Sequence, residues 1–255
     1  MDVSSTTAST LSQMLKDHVI SATEVTEEYL SRIEQRNAEL HAYLTVGKEE
    51  AICAARQIDD LRAKGLPLSS LAGIPIAVKD NLATNGMRTT CGSNMLEHFV
   101  PGYDATVVER MKSAGMILLG KTNLDEFAMG STGEYSGFEN PRNPQNYEIV
   151  PGGSSSGSAV AVSAGLACVA LGSDTGGSVR TPALCCDLVG FKPSYGAISR
   201  YGLIAFASSM DQVGILARTV CDADLLARVV YGTDEKDATT VPVSLQREPV
   251  DFHGV

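Results

Sequence analysis

The run Val150-Pro151-Gly152-Gly153-Ser154-Ser155-Ser156-Gly157-Ser158 decides how the chain is read. A second run follows, Gly172-Ser173-Asp174-Thr175-Gly176-Gly177-Ser178-Val179-Arg180. Both are serine turns flanked by glycine. Upstream, Gly73-Ile74-Pro75-Ile76-Ala77-Val78-Lys79 reads as a short strand, with Pro75 near its start, where a missing N–H is tolerated. Lys79 and Asp80 stand at its end. Two such serine turns and a strand-end lysine suggest nucleophilic catalysis without histidine.

A serine hydroxyl is a poor nucleophile until a base takes its proton. The histidines are His18, His41, His98 and His253, and none sits in a recognisable catalytic setting. A lysine can be the base if burial and nearby dipoles disfavour its ammonium form. Lys79, after Ile74, Ile76 and Val78, is placed for that. In Thr175-Gly176-Gly177-Ser178 the glycines let the backbone approach a ligand closely, and successive N–H groups at a helix start suit an oxyanion. Each feature also has an ordinary reading. Lys79 can be a surface lysine paired with Asp80, Ser154 or Ser155 a helix cap, and Gly176-Gly177 a plain turn with Asp174 as a structural acceptor.

Outward from these runs, the periodicity alternates between helix and strand. Ser21-Ala22-Thr23-Glu24 is a capping box that starts a helix near Ala22, with Val25, Tyr29 and Ile33 on one face. A second helix covers Lys48 to Lys64, with Ala51, Ala54, Ile58 and Leu61 in register and Gly65 as its stop. Asp104 is expected to cap a helix running through Ala114, and Met116 to Leu119 is the next strand. Glu126 to Ile149 is a loop long enough to suggest a functional role. Ser155 to Gly165 is a helix of small residues, Ala167 to Gly172 a strand, and Thr219 caps a last helix containing Leu225, Leu226 and Val229. Asp251 to Val255 reads as the start of a further strand. Strands alternating with helices argue an α/β fold.

The chain has 255 residues, enough for one large domain or two small ones. Its net charge of −10, with no Lys/Arg cluster, excludes a basic nucleic-acid stripe of its own. The six cysteines lack CxxC spacing and read as buried, reduced thiols, with no zinc site. The N-terminus has neither a basic nor an apolar leader region, and no apolar run approaches the ~20 residues of a membrane span. A cytoplasmic location is the default expectation. Gly115-Met116-Ile117-Leu118-Leu119-Gly120-Lys121-Thr122 fits the pattern of a phosphate-binding loop. A helix is expected before Gly115, however, and the variable residues form an apolar strand, so the match is refused as a nucleotide site.

Taken together, these runs resemble the amidase signature family of serine hydrolases. The likeness extends from about Leu71 to Leu226 and rests on Gly73–Asp80, Pro151–Ala159 and Gly172–Pro182 in combination. Within the family it is similar to the ammonia-supplying subunits of tRNA-dependent amidotransferases, through Gly120–Ser131, Arg142-Asn143-Pro144 and Ser199–Gln212. The resemblance implies a central mixed sheet flanked by helices, of which this chain carries about the first half. On that reading residues 1–70 are an N-terminal helical segment and 71–255 a truncated signature core, one domain overall.

The same resemblance implies a Ser–Ser–Lys triad: Ser178 as nucleophile, Ser154 as bridging serine after a cis peptide bond, and Lys79 as base. It maps an oxyanion hole onto the N–H groups of Thr175, Gly176 and Gly177, and a substrate-binding segment onto Met129, Gly130 and Ser131. No metal is implied. The implied reaction is hydrolysis of glutamine, supplying ammonia to convert Glu-tRNA(Gln) or Asp-tRNA(Asn) to the amidated form. The implied partners are amidotransferase subunits B and C. ATP and Mg²⁺ are expected on the partner, misacylated tRNA is reached through it, and this chain carries no cofactor. Ser156 departs from the family, which often has glycine there, and is tolerated if its φ is negative. Residues gripping the glutamine α-amino and α-carboxylate groups are expected in the second half. The fragment alone is therefore expected to be inactive and, with an exposed sheet edge, marginally stable. The alternatives are a free-standing amidase of the same family, a nucleotide-binding module using Gly115–Thr122, and an inactive partner surface.

Overall fold

The computed structural model describes residues 3–243; His253 and the strand expected at Asp251–Val255 lie outside them. Among the described residues the strands are β1 (Tyr43–Val46), β2 (Pro75–Lys79), β3 (Ile117–Thr122), β4 (Val169–Asp174), β5 (Val189–Phe191) and β6 (Gln212–Ala217). The α-helices are α1 (Ala8–Lys16), α2 (Ala22–Leu40), α3 (Lys48–Ala63), α4 (Thr106–Ser113), α5 (Ser156–Ser163), α6 (Arg180–Cys185) and α7 (Val220–Val230). The strands make one mixed sheet in the order β1-β3-β2-β4-β6-β5. β2 runs parallel to both its neighbours, β3 and β4, and the other pairs are antiparallel. Every residue of β2, β3, β4 and β6 is buried, the pattern of strands covered on both faces. The α/β fold with a central mixed sheet is thus as expected from the sequence.

Local signals set most of the helices. At α2 the Ser21 hydroxyl accepts the Glu24 N–H at 3.1 Å and the Glu24 carboxylate accepts the Ser21 N–H at 2.8 Å, closing the capping box. Val25, Tyr29 and Ile33 are buried beneath it. In α3 it is Ala51, Ala55 and Ile58 that are buried, with Ala54 only partly covered. Thr219 caps α7 by accepting the Asp222 N–H. The small residues of α5 let it settle onto the sheet: Ser158 Oγ lies 2.6 Å from Thr122 Oγ1 and donates to Leu171 O at 3.0 Å.

Four expectations are corrected. The first seventy residues are not all helical, because Tyr43–Val46 pairs antiparallel with β3, with Tyr43 opposite Thr122 and Val46 opposite Gly120. Four residues between two helices are too short to show a period of two, and partner pairing makes them a strand. Asp104 does not cap α4, whose N-cap is Ala105; its carboxylate accepts from the Asn85 N–H and Lys112 Nζ instead. The strand expected to end at Leu119 continues to Thr122. Of the cysteines, all six free, Cys53 and Cys221 are exposed. They lie on the outer faces of α3 and α7, where a thiol needs no partner.

The longer β3 removes the nucleotide-binding alternative. Gly120, Lys121 and Thr122 are strand residues with no loop to cradle a phosphate. Lys121 is fully buried, donating to Leu82 O at 2.7 Å and Thr89 Oγ1 at 2.8 Å, with Asp80 Oδ1 at 3.2 Å. Gly120 is demanded by β1, since a Cβ there would collide with Thr45 O and stand 3.0 Å from Val46 Cα. Gly120→Ala is expected to push β1 off the sheet and to destabilise the chain by about 2 kcal/mol. Urea unfolding measures this, and a midpoint equal to wild type would contradict it.

Candidate active site

The parallel register places the site. Val78 is level with Leu171, so Lys79 at the carboxyl end of β2 and the turn leaving β4 emerge side by side. The carboxyl ends of parallel strands are where α/β sheets gather their ligands. The amino end of α5 brings Ser154 to the same edge. Ser155 ties these pieces together. Its N–H donates to Ser178 O at 3.0 Å, its hydroxyl donates to Ser173 O at 3.1 Å and accepts the Ser173 N–H at 3.3 Å. Although Ser155 is the N-cap residue of α5, its side chain makes no capping bond; it is spent on β4.

Lys79 and Ser154 are both fully buried, whereas Ser178 retains 8% exposure. Ser178 is therefore the hydroxyl of the three that a ligand can reach. Lys79 Nζ lies 2.7 Å from Ser154 Oγ, 2.9 Å from Ser173 Oγ and 3.4 Å from Ser173 O. Asn81 Nδ2 donates to the same Ser173 hydroxyl at 2.9 Å. A neutral amine has two N–H groups and one lone pair. With both N–H groups turned to the two oxygens of Ser173, the lone pair faces Ser154, and the Ser154 proton has an acceptor. Ser178 Oγ has no hydrogen-bond partner among the described residues, and Ser178 is held through its backbone.

Burial drives the Lys79 amine down from its ordinary 10.5 to about 7, against the opposing charges of Asp125, Asp174 and Asp211. Among the described residues no carboxylate is hydrogen-bonded to Lys79. The surface reading of Lys79, paired with Asp80, is excluded: successive strand residues point to opposite faces, and Asp80 pairs with Lys121 instead. Asp80 Oδ2 also accepts the Thr90 N–H and hydroxyl, at 2.7 Å and 2.6 Å.

Asp125, in the segment after β3, carries the Ser154 turn. Its N–H donates to Ser154 O at 3.3 Å, and its carboxylate accepts from the N–H groups of Gly133 and Tyr135 at 3.2 Å and 2.9 Å. A Cβ on Gly153 would collide with Asp125 Oδ2, so only glycine fits there. The Gly153–Ser154 peptide bond is cis. Ser131 reaches the turn through its carbonyl, which accepts the Gly153 N–H at 2.8 Å. Gly130 packs against the Asp125 side chain, and Met129 is exposed. Ser156 opens α5 with no positive φ, as its tolerance requires, and its buried hydroxyl has no hydrogen-bond partner among the described residues.

In the Thr175–Ser178 turn, the Gly177 N–H is already used: it donates to Asp174 Oδ1 at 2.7 Å. The Asp174 carboxylate also takes the Val179 N–H and the Arg180 guanidinium. Burial works against its charge, but these donors hold its carboxyl below the usual carboxylate range. Asp174 is a structural acceptor, as its sequence position suggests, and it withdraws Gly177 from the three expected oxyanion donors. Thr175 and Gly176 remain. Sequence reasoning missed Ser173, Asn81, Ser155 and Asp125. Ser173 was within reach, since the alternation along β4 puts it two residues beyond Leu171 on the same face. His18, His41 and His98 hydrogen-bond to none of the triad residues. Among the described residues no three His, Cys, Asp or Glu side chains are disposed to hold a metal, and no helix is long and apolar enough to cross a membrane.

Fold and site together define the class: a mixed-sheet α/β protein whose buried lysine is set among serine turns, the arrangement of an amidase. The family model described as Amidase matches residues 24–253, and the chain belongs to that family. It is 54% identical over 236 residues to the A subunit of glutamyl-tRNA(Gln) amidotransferase from Carboxydothermus hydrogenoformans, covering 92% of this chain and 49% of that protein. Among solved structures, the corresponding A subunit from Thermotoga maritima superposes with a TM-score of 0.83 at 44% identity, covering 96% of this chain and 50% of that one. The peptide amidase of Stenotrophomonas maltophilia gives a TM-score of 0.88 at 34% identity, covering 96% and 52%. The chain thus spans about half the length of the relatives it matches.

The depressed Lys79 pKa has a consequence for stability. Between about pH 7 and 10.5 the unfolded chain holds a proton that folded Lys79 does not. This group therefore costs stability below about 7, and the cost fades as pH rises toward 10.5. Lys79→Met removes that dependence. Urea midpoints taken at about pH 7 and pH 9.5 should rise more for wild type than for Lys79→Met; parallel changes would mean that Lys79 keeps its ordinary pKa.

Proposed function

We propose that the chain is the catalytic half-domain of a glutaminase subunit in a tRNA-dependent amidotransferase. The observation that carries the reading is the 2.7 Å contact between Ser154 and a fully buried Lys79 whose pKa lies near 7. The similarity to amidotransferase A subunits, higher than that to the peptide amidase, favours the amidotransferase branch.

In this reading Ser178 Oγ attacks the carboxamide carbon of glutamine. Its proton passes to Ser154, whose own proton passes to the neutral Lys79 amine. The tetrahedral oxyanion is received by the N–H groups of Thr175 and Gly176, with that of Gly177 shared with Asp174. When the C–N bond breaks, the Lys79 ammonium returns its proton through Ser154 to the leaving nitrogen, and ammonia departs. The Ser178 ester is then cleaved by water along the same relay, yielding glutamate. Met129 to Ser131 border the turn that carries Ser154 and belong to the substrate wall. Ammonia release supplies partner subunits B and C, where ATP and Mg²⁺ activate the misacylated Glu-tRNA(Gln) or Asp-tRNA(Asn). The cytoplasm is the proposed location. The peptide amidase likeness supports a second reading, a free-standing amidase, in which simple amides are cleaved without partners.

In the full-length chain with its partner subunits, Ser178→Ala should abolish ammonia release from glutamine. Turnover at more than about a hundredth of wild type would exclude Ser178 as nucleophile. Because the base works as the neutral amine, kcat/KM should rise through about pH 7 and level off above it. Lys79→Ala should lose at least about 10³-fold, with no such limb. A profile flat from pH 6 to 9, or rapid glutamine-independent cleavage of peptide amides, would remove the glutaminase reading.

A further inference from the structure

Asp211 lies immediately before β6 and is 3% exposed. The antiparallel register sets Gln212 opposite Asp174, so Asp211 faces the first residue of the Thr175–Ser178 turn. Three donors converge on its carboxylate. The Thr175 hydroxyl donates to Oδ1 at 2.5 Å, the Phe206 N–H to Oδ2 at 2.8 Å, and the Ala207 N–H to both oxygens at 3.1 Å and 3.0 Å. The Asp211 N–H donates back to Ala207 O at 2.9 Å. The carboxylate thus joins a separate loop, residues 206–211, to the turn.

The other end of the turn is held by Asp174, through Gly177 and Val179. Thr175 and Gly176 therefore lie between two carboxylates, one on β4 and one at the start of β6. Nothing lies within 4 Å of where a Cβ would stand on Gly176, so the segment between the clamps borders open space. A turn with two adjacent glycines does not fix its own N–H directions, and a donor displaced by about 1 Å can forfeit about 10² in rate. Bonds from outside the turn have to supply that order.

Resting on the triad reading above, we infer that Asp211 is a positioning residue for the amide hydrolysis: it holds the Thr175–Gly176 N–H groups in place through the Thr175 hydroxyl. Asp211 touches no reacting atom. Its effect falls on the transition state, where the oxyanion forms, and not on substrate affinity.

Steady-state glutaminase kinetics on the full-length chain with its partners tests this. Thr175→Val removes the hydroxyl bond and leaves the Asp211 charge, which also acts on Lys79, in place. It should lower kcat about tenfold or more while KM changes less than about threefold. Thr175→Ser should recover most of that loss. Asp211→Asn combined with Thr175→Val should lose little more than the worse single variant, since the two act as a unit. A kcat for Thr175→Val within about twofold of wild type, a loss confined to KM, or multiplying losses in the double variant would each overturn the assignment. Asp211→Asn can unfold the 206–211 loop, so the Val/Ser comparison at Thr175, with thermal midpoints alongside, decides. Ser178→Ala run in parallel separates the two readings. If it abolishes turnover and Thr175→Val does not matter, only the Asp211 assignment fails. If Ser178→Ala remains active, the triad fails with it.

Discussion

The constraint on which this structure depends is a lysine amine buried without a carboxylate to hold its charge. Desolvation of an ammonium is costly, and a protein relieves it by pairing the group or by letting it lose its proton. Lys79 follows the second route. Its neighbours are hydroxyl and carbonyl oxygens of Ser154 and Ser173, which orient an amine but compensate an ammonium poorly. The carboxylate next to it in sequence, Asp80, points the other way and is engaged by Lys121 from β3. Burial pushes Lys121 down and Asp80 up, each opposed by the other's charge. Lys121 therefore has an electrostatic role although it lies outside the triad: it occupies the anion that would otherwise keep the base protonated.

The parallel arrangement of β2 between β3 and β4 makes this separation possible. Lys79 and Asp80, adjacent on one strand, face opposite sides, and the sheet supplies a different partner set to each. One side meets the β4 turn and the amino end of α5, where the hydroxyls stand. The other meets Lys121, Thr89 and Thr90. The two carboxylates that bracket the Thr175–Ser178 turn, Asp174 and Asp211, likewise come from strands that pair with each other. The acidic groups around the site are thus engaged in fixing backbone, and their residual field moderates the fall in the Lys79 pKa without reversing it.

Much of this was legible in the sequence because it is written locally. The capping box at Ser21, the apolar run into Lys79, and the two glycine-serine turns each depend on a few neighbouring residues. What could not be read is what the chain does at a distance. β1 is a strand only because β3 lies beside it. Gly120-Lys121-Thr122 fits a phosphate loop as a string, and pairing on both sides makes it sheet. Ser173 and Asn81 become part of the site through the register of β2 against β4, and Gly177 loses its N–H to Asp174 through the curl of one turn. The resemblance supplied the three groups Ser178, Ser154 and Lys79; the geometry added the atoms that orient the amine.

The central claim is that folded Lys79 is a neutral amine near neutral pH. Heteronuclear NMR of the chain labelled at its lysine ε-CH₂ and Nζ positions, with Lys79→Met to assign the resonance, follows that titration directly. The account predicts a midpoint near 7 for Lys79, set apart from exposed lysines that titrate about three units higher. A Lys79 resonance still protonated at pH 9 would contradict it.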